Sequence, residues 1–311
     1  MEKIKINAHI YCTSQCNLRC KHCYSAYNVS TSNVMEIDKL VNIIKILNEN
    51  YDCYFDVEGG ELFTIKNISL FFEQLEKDEL NRITVTTNGT ILPNIDEKYF
   101  KELDEFRVSV EGHNDELNRD IRGVSLNQIL VNCEKWQAKD VSITLRITLN
   151  KKNKNYIPEI FKVFTAKGFK KFSFYEFQAV GRGAENIVDY ELNDEDIREV
   201  LKTISTECEK YKELDYVKLS FSKKRDAILN EGKAFMLEKG FEISNLSNIP
   251  AVTINHNGEI GYCPWELNSH VCGTYEEETF LDTIKATIYK ELESHDCQLC
   301  TVTRFLYKSR V

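Results

Sequence analysis

Three cysteines, Cys16, Cys20 and Cys23, stand in the run C-N-L-R-C-K-H-C, directly after an apolar segment over residues 4–11 that reads as a strand. Three thiolates on one short loop can grip a metal centre without filling it, because a closed 4Fe-4S cube or a structural zinc takes four protein ligands. The triplet therefore asks for a fold that presents this loop at a strand end, with room for a ligand that is not protein. Zinc stays open on the local motif alone. Cysteine-rich loops near an N-terminus are often zinc knuckles, and Cys12 offers a fourth thiolate, although zinc sites more usually pair two short clips than use one lopsided triplet.

The rest of the chain supplies such a fold. From residue 4 to about 176, β-rich apolar runs (4–11, 53–58, 82–87, 105–110, 141–149 and 170–176) alternate with amphipathic helical stretches at 36–50, 66–78, 96–103, 125–138 and 154–167. Alternation of this kind predicts repeated β-α units around a parallel sheet. Six units suit an open, partial (β/α)6 TIM-like barrel of the α/β class, with ligands at the carboxyl ends of the strands. The cysteine loop follows the first strand, at that end. Past residue 180 the rhythm changes to a charged helix near 193–213, a strand near 216–221 and a mixed segment to about 247. The run V-T-I-N-H-N-G-E-I-G-Y-C then reads as a hairpin, and a last helix at 279–292 leads into C-Q-L-C. The expected division is a barrel over 1–183, a helical or mixed insert over 184–249 and a small β-hairpin-plus-helix domain over 250–311.

Charge and cysteine usage narrow the function classes. A formal net charge of -9 and a pI near 5.4 argue against a nucleic-acid backbone as the main ligand. No apolar stretch approaches a membrane span, and the N-terminus has no signal-peptide core, so a cytoplasmic protein without a membrane partner is expected. In a reducing compartment, eleven cysteines are expected as metal ligands or catalytic thiols before disulfides. Four of them, Cys263, Cys272, Cys297 and Cys300, are enough to close one further cluster or one zinc.

The C-x3-C-x2-C loop, with His22 before its third cysteine, resembles the signature of the radical S-adenosylmethionine (SAM) superfamily. Further matches lie at later strand ends: E-G-G-E-L at 58–62, T-T-N-G at 86–89, V-S-V-E-G-H-N-D-E-L-N-R-D-I-R-G at 108–123, R-I-T at 146–148 and F-Q-A-V-G-R-G at 177–183. The resemblance implies that Cys16, Cys20 and Cys23 hold a 4Fe-4S cluster whose open iron chelates SAM. Gly59 and Gly60 would then approach the methionine end of SAM with Glu61 in support, beside Asn88 and Ser109. Arg122 would be an anchor, and Arg146 would pair with the SAM carboxylate. At position 111 a Glu replaces the more usual Asp. The cysteines at 263, 272, 297 and 300 resemble a twitch or shortened SPASM domain, which implies one auxiliary 4Fe-4S cluster.

The implied chemistry is reductive cleavage of SAM to a 5'-deoxyadenosyl radical that takes a hydrogen atom from the substrate. Among relatives with this domain order, peptide maturation is expected first, giving a crosslink, a thioether or an epimerised centre. Its partners would be a precursor peptide, perhaps brought by a separate leader-binding protein, and an electron donor such as flavodoxin or ferredoxin. An aminosugar-type alcohol dehydrogenase and a non-enzymatic iron-sulfur or zinc protein are the alternatives. Cys208 and Cys12 are candidate hydrogen donors by analogy with peptide epimerases, whereas Cys53 and Cys133 read as buried apolar thiols.

Overall fold

The computed structural model describes residues 3–26, 33–75, 82–100, 105–244, 249–265, 270–293 and 301–308. Seven consecutive strands run parallel in chain order: β1 (Lys5–Tyr11), β2 (Asp52–Glu58), β3 (Arg82–Thr87), β4 (Glu105–Ser109), β5 (Ile143–Leu149), β6 (Lys171–Glu176) and β7 (Tyr216–Ser222). The helices between them are α1 (Ile37–Asn50), α2 (Ser69–Gln74), α3 (Glu97–Phe100), α4 (Asp115–Arg122), α5 (Leu126–Gln137), α6 (Ile157–Thr165), α7 (Ile187–Tyr190) and α8 (Asp194–Lys210). The α/β barrel class expected from the β-α rhythm is thus observed, and the parallel array continues past six strands into β7.

The strands' two faces carry different chemistry because successive side chains point opposite ways. Ile6, Ala8 and Ile10 of β1, Phe55 and Val57 of β2, Phe106 and Val108 of β4, and Phe172 and Phe174 of β6 are fully or almost fully buried in the main hydrophobic core. That core also takes the buried faces of the helices, including Trp136 of α5 and Phe161 and Phe164 of α6. The intervening residues, among them His9, Asp56, Arg107, Arg146, Tyr175 and Lys218, line a cavity instead. Barrel interiors are ordinarily filled by branched apolar side chains; this one is polar and hollow.

The C-terminal third extends both edges of the same sheet. After α9 (Asp226–Glu238) come β8 (Phe241–Ile243), β9 (Ala251–Asn255), β10 (Glu259–Gly261), β11 (Val271–Thr274), α10 (Phe280–Glu293) and β12 (Thr301–Lys308). Strand β9 pairs parallel with β1 and continues through β10 to β11, forming the expected hairpin at β9–β10. On the far edge β12 pairs antiparallel with both β7 and β8. Helix α9 and strands β8 and β12 lie in stretches where the sequence rhythm marks no such elements. Among the described residues no helix is long and apolar enough to cross a membrane.

Candidate functional site

The loop after β1 is held from three directions. The 181–183 segment after β6 reaches back to it: the Arg182 amide donates to the Cys23 carbonyl at 2.9 Å and its Nε to the Cys20 carbonyl at 3.1 Å. From the end of α4, the Ile121 carbonyl accepts the Lys21 amide at 2.9 Å. From β2, the Gly60 and Glu61 amides donate to the Thr13 and Gln15 carbonyls, each at 2.7 Å.

Close backbone approach explains the glycines. A Cβ on Gly59 would lie 2.6 Å from the Thr13 carbonyl oxygen, and one on Gly60 would collide with the Gln15 carbonyl. Gly181 adopts φ +57°, and a Cβ there would collide with the Tyr24 carbonyl. Gly60→Ala is accordingly expected to push residues 15 and 16 outward and to lower the iron retained by the anaerobically reconstituted protein at least severalfold, read by iron analysis per chain.

Cys16, Cys20 and Cys23 all line one cleft of about 110 Å³, together with His22, Gly59, Gly60, Asn88, Ser109, Arg122 and Arg146. The structure thus brings most of the candidate cofactor residues to one cavity at the carboxyl ends of β1 to β6. Glu61 supports it from behind: buried, it accepts from the Thr87 hydroxyl at 2.7 Å and the Asn88 amide at 2.6 Å. Asn88 in turn donates to Asn17 Oδ1 in the cysteine loop at 2.8 Å.

Glu111 is a hub beneath this cleft. It is fully buried, and its Oε1 accepts from His22 Nε2 at 2.7 Å and from Arg122 Nη1 at 2.8 Å, while Oε2 accepts the Thr148 amide at 3.2 Å. Burial works to raise its pKa, but His22 and Arg122 outweigh that and hold it below the ordinary glutamate value. The Asp-to-Glu departure therefore serves a buried ion pair that orients His22 and Arg122.

Two of the thiols, Cys16 and Cys20, resist ionisation. Burial pushes Cys16 up to about 11 and raises Cys20, against the lowering pull of Arg122 on the latter. Metal ligation requires thiolates, so a bound cation would supply the stabilising charge. Among the described residues no three His, Cys, Asp or Glu side chains converge closely enough to hold one metal ion. A tetrahedral zinc with sulfurs at about 2.3 Å would need them within roughly 4 Å of each other.

The other candidate residues fall elsewhere. Cys12 is fully buried, its thiol donating to the Glu58 carbonyl at 3.1 Å, and Cys208 is fully buried in the main core on α8. Burial raises both thiols well above the ordinary value, and neither lines the cleft, so the structure does not bring either candidate donor to it. Cys263 follows β10 and is buried, and Cys272 lies in β11 partly buried; Cys297 and Cys300 lie outside the described residues.

Three contributors carried no motif. Tyr24 follows the last cysteine of the loop and meets Trp265 edge-on at 4.9 Å, and Trp265 stands two residues after Cys263. Tyr11 donates to the Pro264 carbonyl at 2.9 Å. Trp265 lines both the cysteine cleft and the neighbouring lumen, so this segment borders the two cavities. Its only signal in sequence was the C-P-W run itself.

Residues 10–164 match the radical SAM superfamily. Fe-coproporphyrin III synthase of Methanosarcina barkeri is 27% identical over 197 residues, 62% of this chain and 49% of that protein. The antilisterial bacteriocin subtilosin biosynthesis protein AlbA of Bacillus subtilis is 23% identical over 185 residues, 58% of this chain and 41% of AlbA. The chain thus spans about half the length of the curated relatives it matches. SuiB of Streptococcus suis, in a crystal structure bound to precursor peptide SuiA, superposes with a TM-score of 0.74 at 15% identity over 94% of this chain and 67% of that one. At that identity the likeness is one of fold. A match that contains the cysteine triplet, on a barrel that gathers the triplet and the G-G-E turn into one cleft, establishes that the chain belongs to the radical SAM superfamily.

Proposed function

We propose that this chain uses SAM and a 4Fe-4S cluster to take a hydrogen atom from a peptide substrate during maturation of a ribosomally made peptide. The observation that carries the chemistry is the convergence of Cys16, Cys20 and Cys23 with Gly59, Gly60, Ser109 and Arg146 on one cleft. Peptide as the substrate class is supported by the likeness to AlbA and by the fold shared with SuiB, whose structure holds a precursor peptide.

The three cysteines would hold the cluster, and the Gly59–Gly60 turn, Asn88, Ser109 and Arg146 would receive SAM beside it. Bound there, the pair supplies one-electron chemistry able to break an unreactive C–H bond. The chain's own residues do the rest. Arg182 fixes the loop through its carbonyls, Glu111 fixes His22 and Arg122, and the Tyr24–Trp265 pair borders both the cleft and the lumen. Cys263, Cys272, Cys297 and Cys300 would close the auxiliary cluster, with electrons from a flavodoxin- or ferredoxin-like donor in the cytoplasm. Residues 1–183, 184–249 and 250–311 would be the barrel, insert and cluster units of this enzyme, and a separate leader-binding protein is compatible with it.

A small-molecule substrate is the second reading, favoured by the similarity to Fe-coproporphyrin III synthase and by a lumen of about 480 Å³. Anaerobic co-expression with a short peptide encoded beside its gene, followed by mass spectrometry, separates the two. Loss of two hydrogen atoms, or one deuterium taken up at a Cα in heavy water, is the expected result. Unmodified peptide alongside active SAM cleavage would count against the peptide reading.

A further inference from the structure

The whole chain is acidic, with 49 Asp and Glu against 40 Lys and Arg. The lumen beside the cysteine cleft reverses that balance. Its lining holds six basic residues, Arg107, Arg146, Lys171, Lys218, Lys223 and Lys308, against five acidic ones, with His9 in addition. Burying charges is costly unless they are paired, and here the two arginines and His9 are. Arg107 Nη1 reaches Asp56 at 2.9 Å and its Nη2 reaches Glu105 at 3.3 Å. His9 donates to Glu58 at 3.1 Å and lies 3.7 Å from Asp56; against the effect of burial, these carboxylates raise its pKa. Arg146 lies 3.7 Å from Glu58.

Lys218 on β7, in the lumen wall beside them, has no such partner. Among the described residues its ammonium forms no ion pair or hydrogen bond; it stands over the Tyr175 ring, 5.5 Å from the centroid, with Asp56 and Glu105 acting on it at longer range. Arg146 covers the same ring at 4.5 Å. Tyr175 lines both cavities, so this cation-rich corner borders the lumen and the cysteine cleft alike.

We propose that the lumen is a receptor for one carboxylate of the substrate, held by the Lys218 ammonium and the Tyr175 hydroxyl. This deepens the reading above, on which it rests only for calling the cavity a substrate site. A single negative charge is what the corner takes, because Asp56, Glu58 and Glu105 already stand around it and would repel a dianion such as phosphate. An acidic side chain, a peptide C-terminus and a small organic acid all present that group.

Tyr175 on β6 adds a pH signature. It is faced by His9 on β1, Asp56 on β2, Arg107 on β4, Arg146 on β5 and Lys218 on β7. Burial raises its pKa, but Arg107, Lys218 and Arg146 outweigh this and bring it down to about 8. Above that pH the phenolate becomes the anion beside Lys218, so an incoming carboxylate loses its partner.

Isothermal titration calorimetry on the full reconstituted chain tests this. The probes are glutarate, the blocked tripeptide acetyl-Ala-Glu-Ala-amide, its Gln counterpart, and that Gln peptide with a free C-terminus. At least one carboxylate-bearing probe is expected to bind and the blocked Gln peptide is not; the carboxylate that binds identifies the source. Lys218→Met should weaken binding at least tenfold, Lys218→Arg should restore it, and binding should weaken by up to tenfold per unit as pH rises past about 8. Silence from every carboxylate probe, equal binding of the blocked Gln peptide, or full binding by Lys218→Met would overturn the proposal. Iron content and SAM binding are measured on the same samples. Carboxylate binding in a chain that takes neither would defeat the radical SAM function and leave the receptor standing.

Discussion

The triple variant Cys16→Ala, Cys20→Ala, Cys23→Ala is expected to lose about four irons per chain relative to the parent after anaerobic reconstitution, the content of one cube. Its metal-free melting temperature is expected to stay near the parent's. None of the three thiols belongs to the main hydrophobic core, and the loop is held by backbone bonds to Arg182, Ile121, Gly60 and Glu61 that the substitutions leave in place. Iron analysis and a thermal melt on the same preparation separate the two effects. An unchanged iron content would mean that the metal resides elsewhere, and an unfolded variant would mean that the thiols are structural.

Glu111→Ala is expected to have the largest effect on stability. Removing the carboxylate strands Arg122, which is 8% exposed, with a buried charge and no counterion, and leaves His22 Nε2 without its acceptor. Breaking a buried pair from one side costs about 3–5 kcal/mol. For a chain of this size that lowers the melting temperature by roughly 5–8 °C. The double variant Glu111→Leu, Arg122→Met is expected to regain most of the loss, since removing both partners also removes the uncompensated charge. A Glu111→Ala protein as stable as the parent would show that the pair is solvated and that Glu111 has another role.

The parts of the molecule legible in sequence were those written in local pattern. The alternation of β1, Ile6, Ala8 and Ile10 against Asn7, His9 and Tyr11, is visible in seven residues, and the cysteine loop is a contiguous run. Glycines at 59 and 60 were legible as a motif, although the collision that explains Gly60, with the Gln15 carbonyl, appears only in three dimensions. Strand β12 was not legible, because T-V-T-R-F-L-Y-K becomes a strand by pairing with β7 some eighty residues earlier, and strand formation depends on such neighbours more than on propensity. The role of Glu111 was not legible for a related reason. Its difference from the family pattern was visible, while the partners that give it a purpose, His22 and Arg122, come from the loop after β1 and the end of α4.

The lumen shows the same limit from the other side. Each inward-facing residue is unremarkable within its own strand, and a lone Lys218 in V-K-L-S-F reads as the solvated face of an edge strand. Bringing β1 to β7 around a common interior turns seven polar stripes into one charged cavity.

The most direct measurement of the central claim is the formation of 5'-deoxyadenosine from SAM by the anaerobically reconstituted, dithionite-reduced chain, set beside the triple cysteine variant. The parent is expected to form it and the variant to form none above background. A parent that binds iron yet leaves SAM intact, or a variant that cleaves SAM as the parent does, would contradict the assignment of Cys16, Cys20 and Cys23 as the open cluster site.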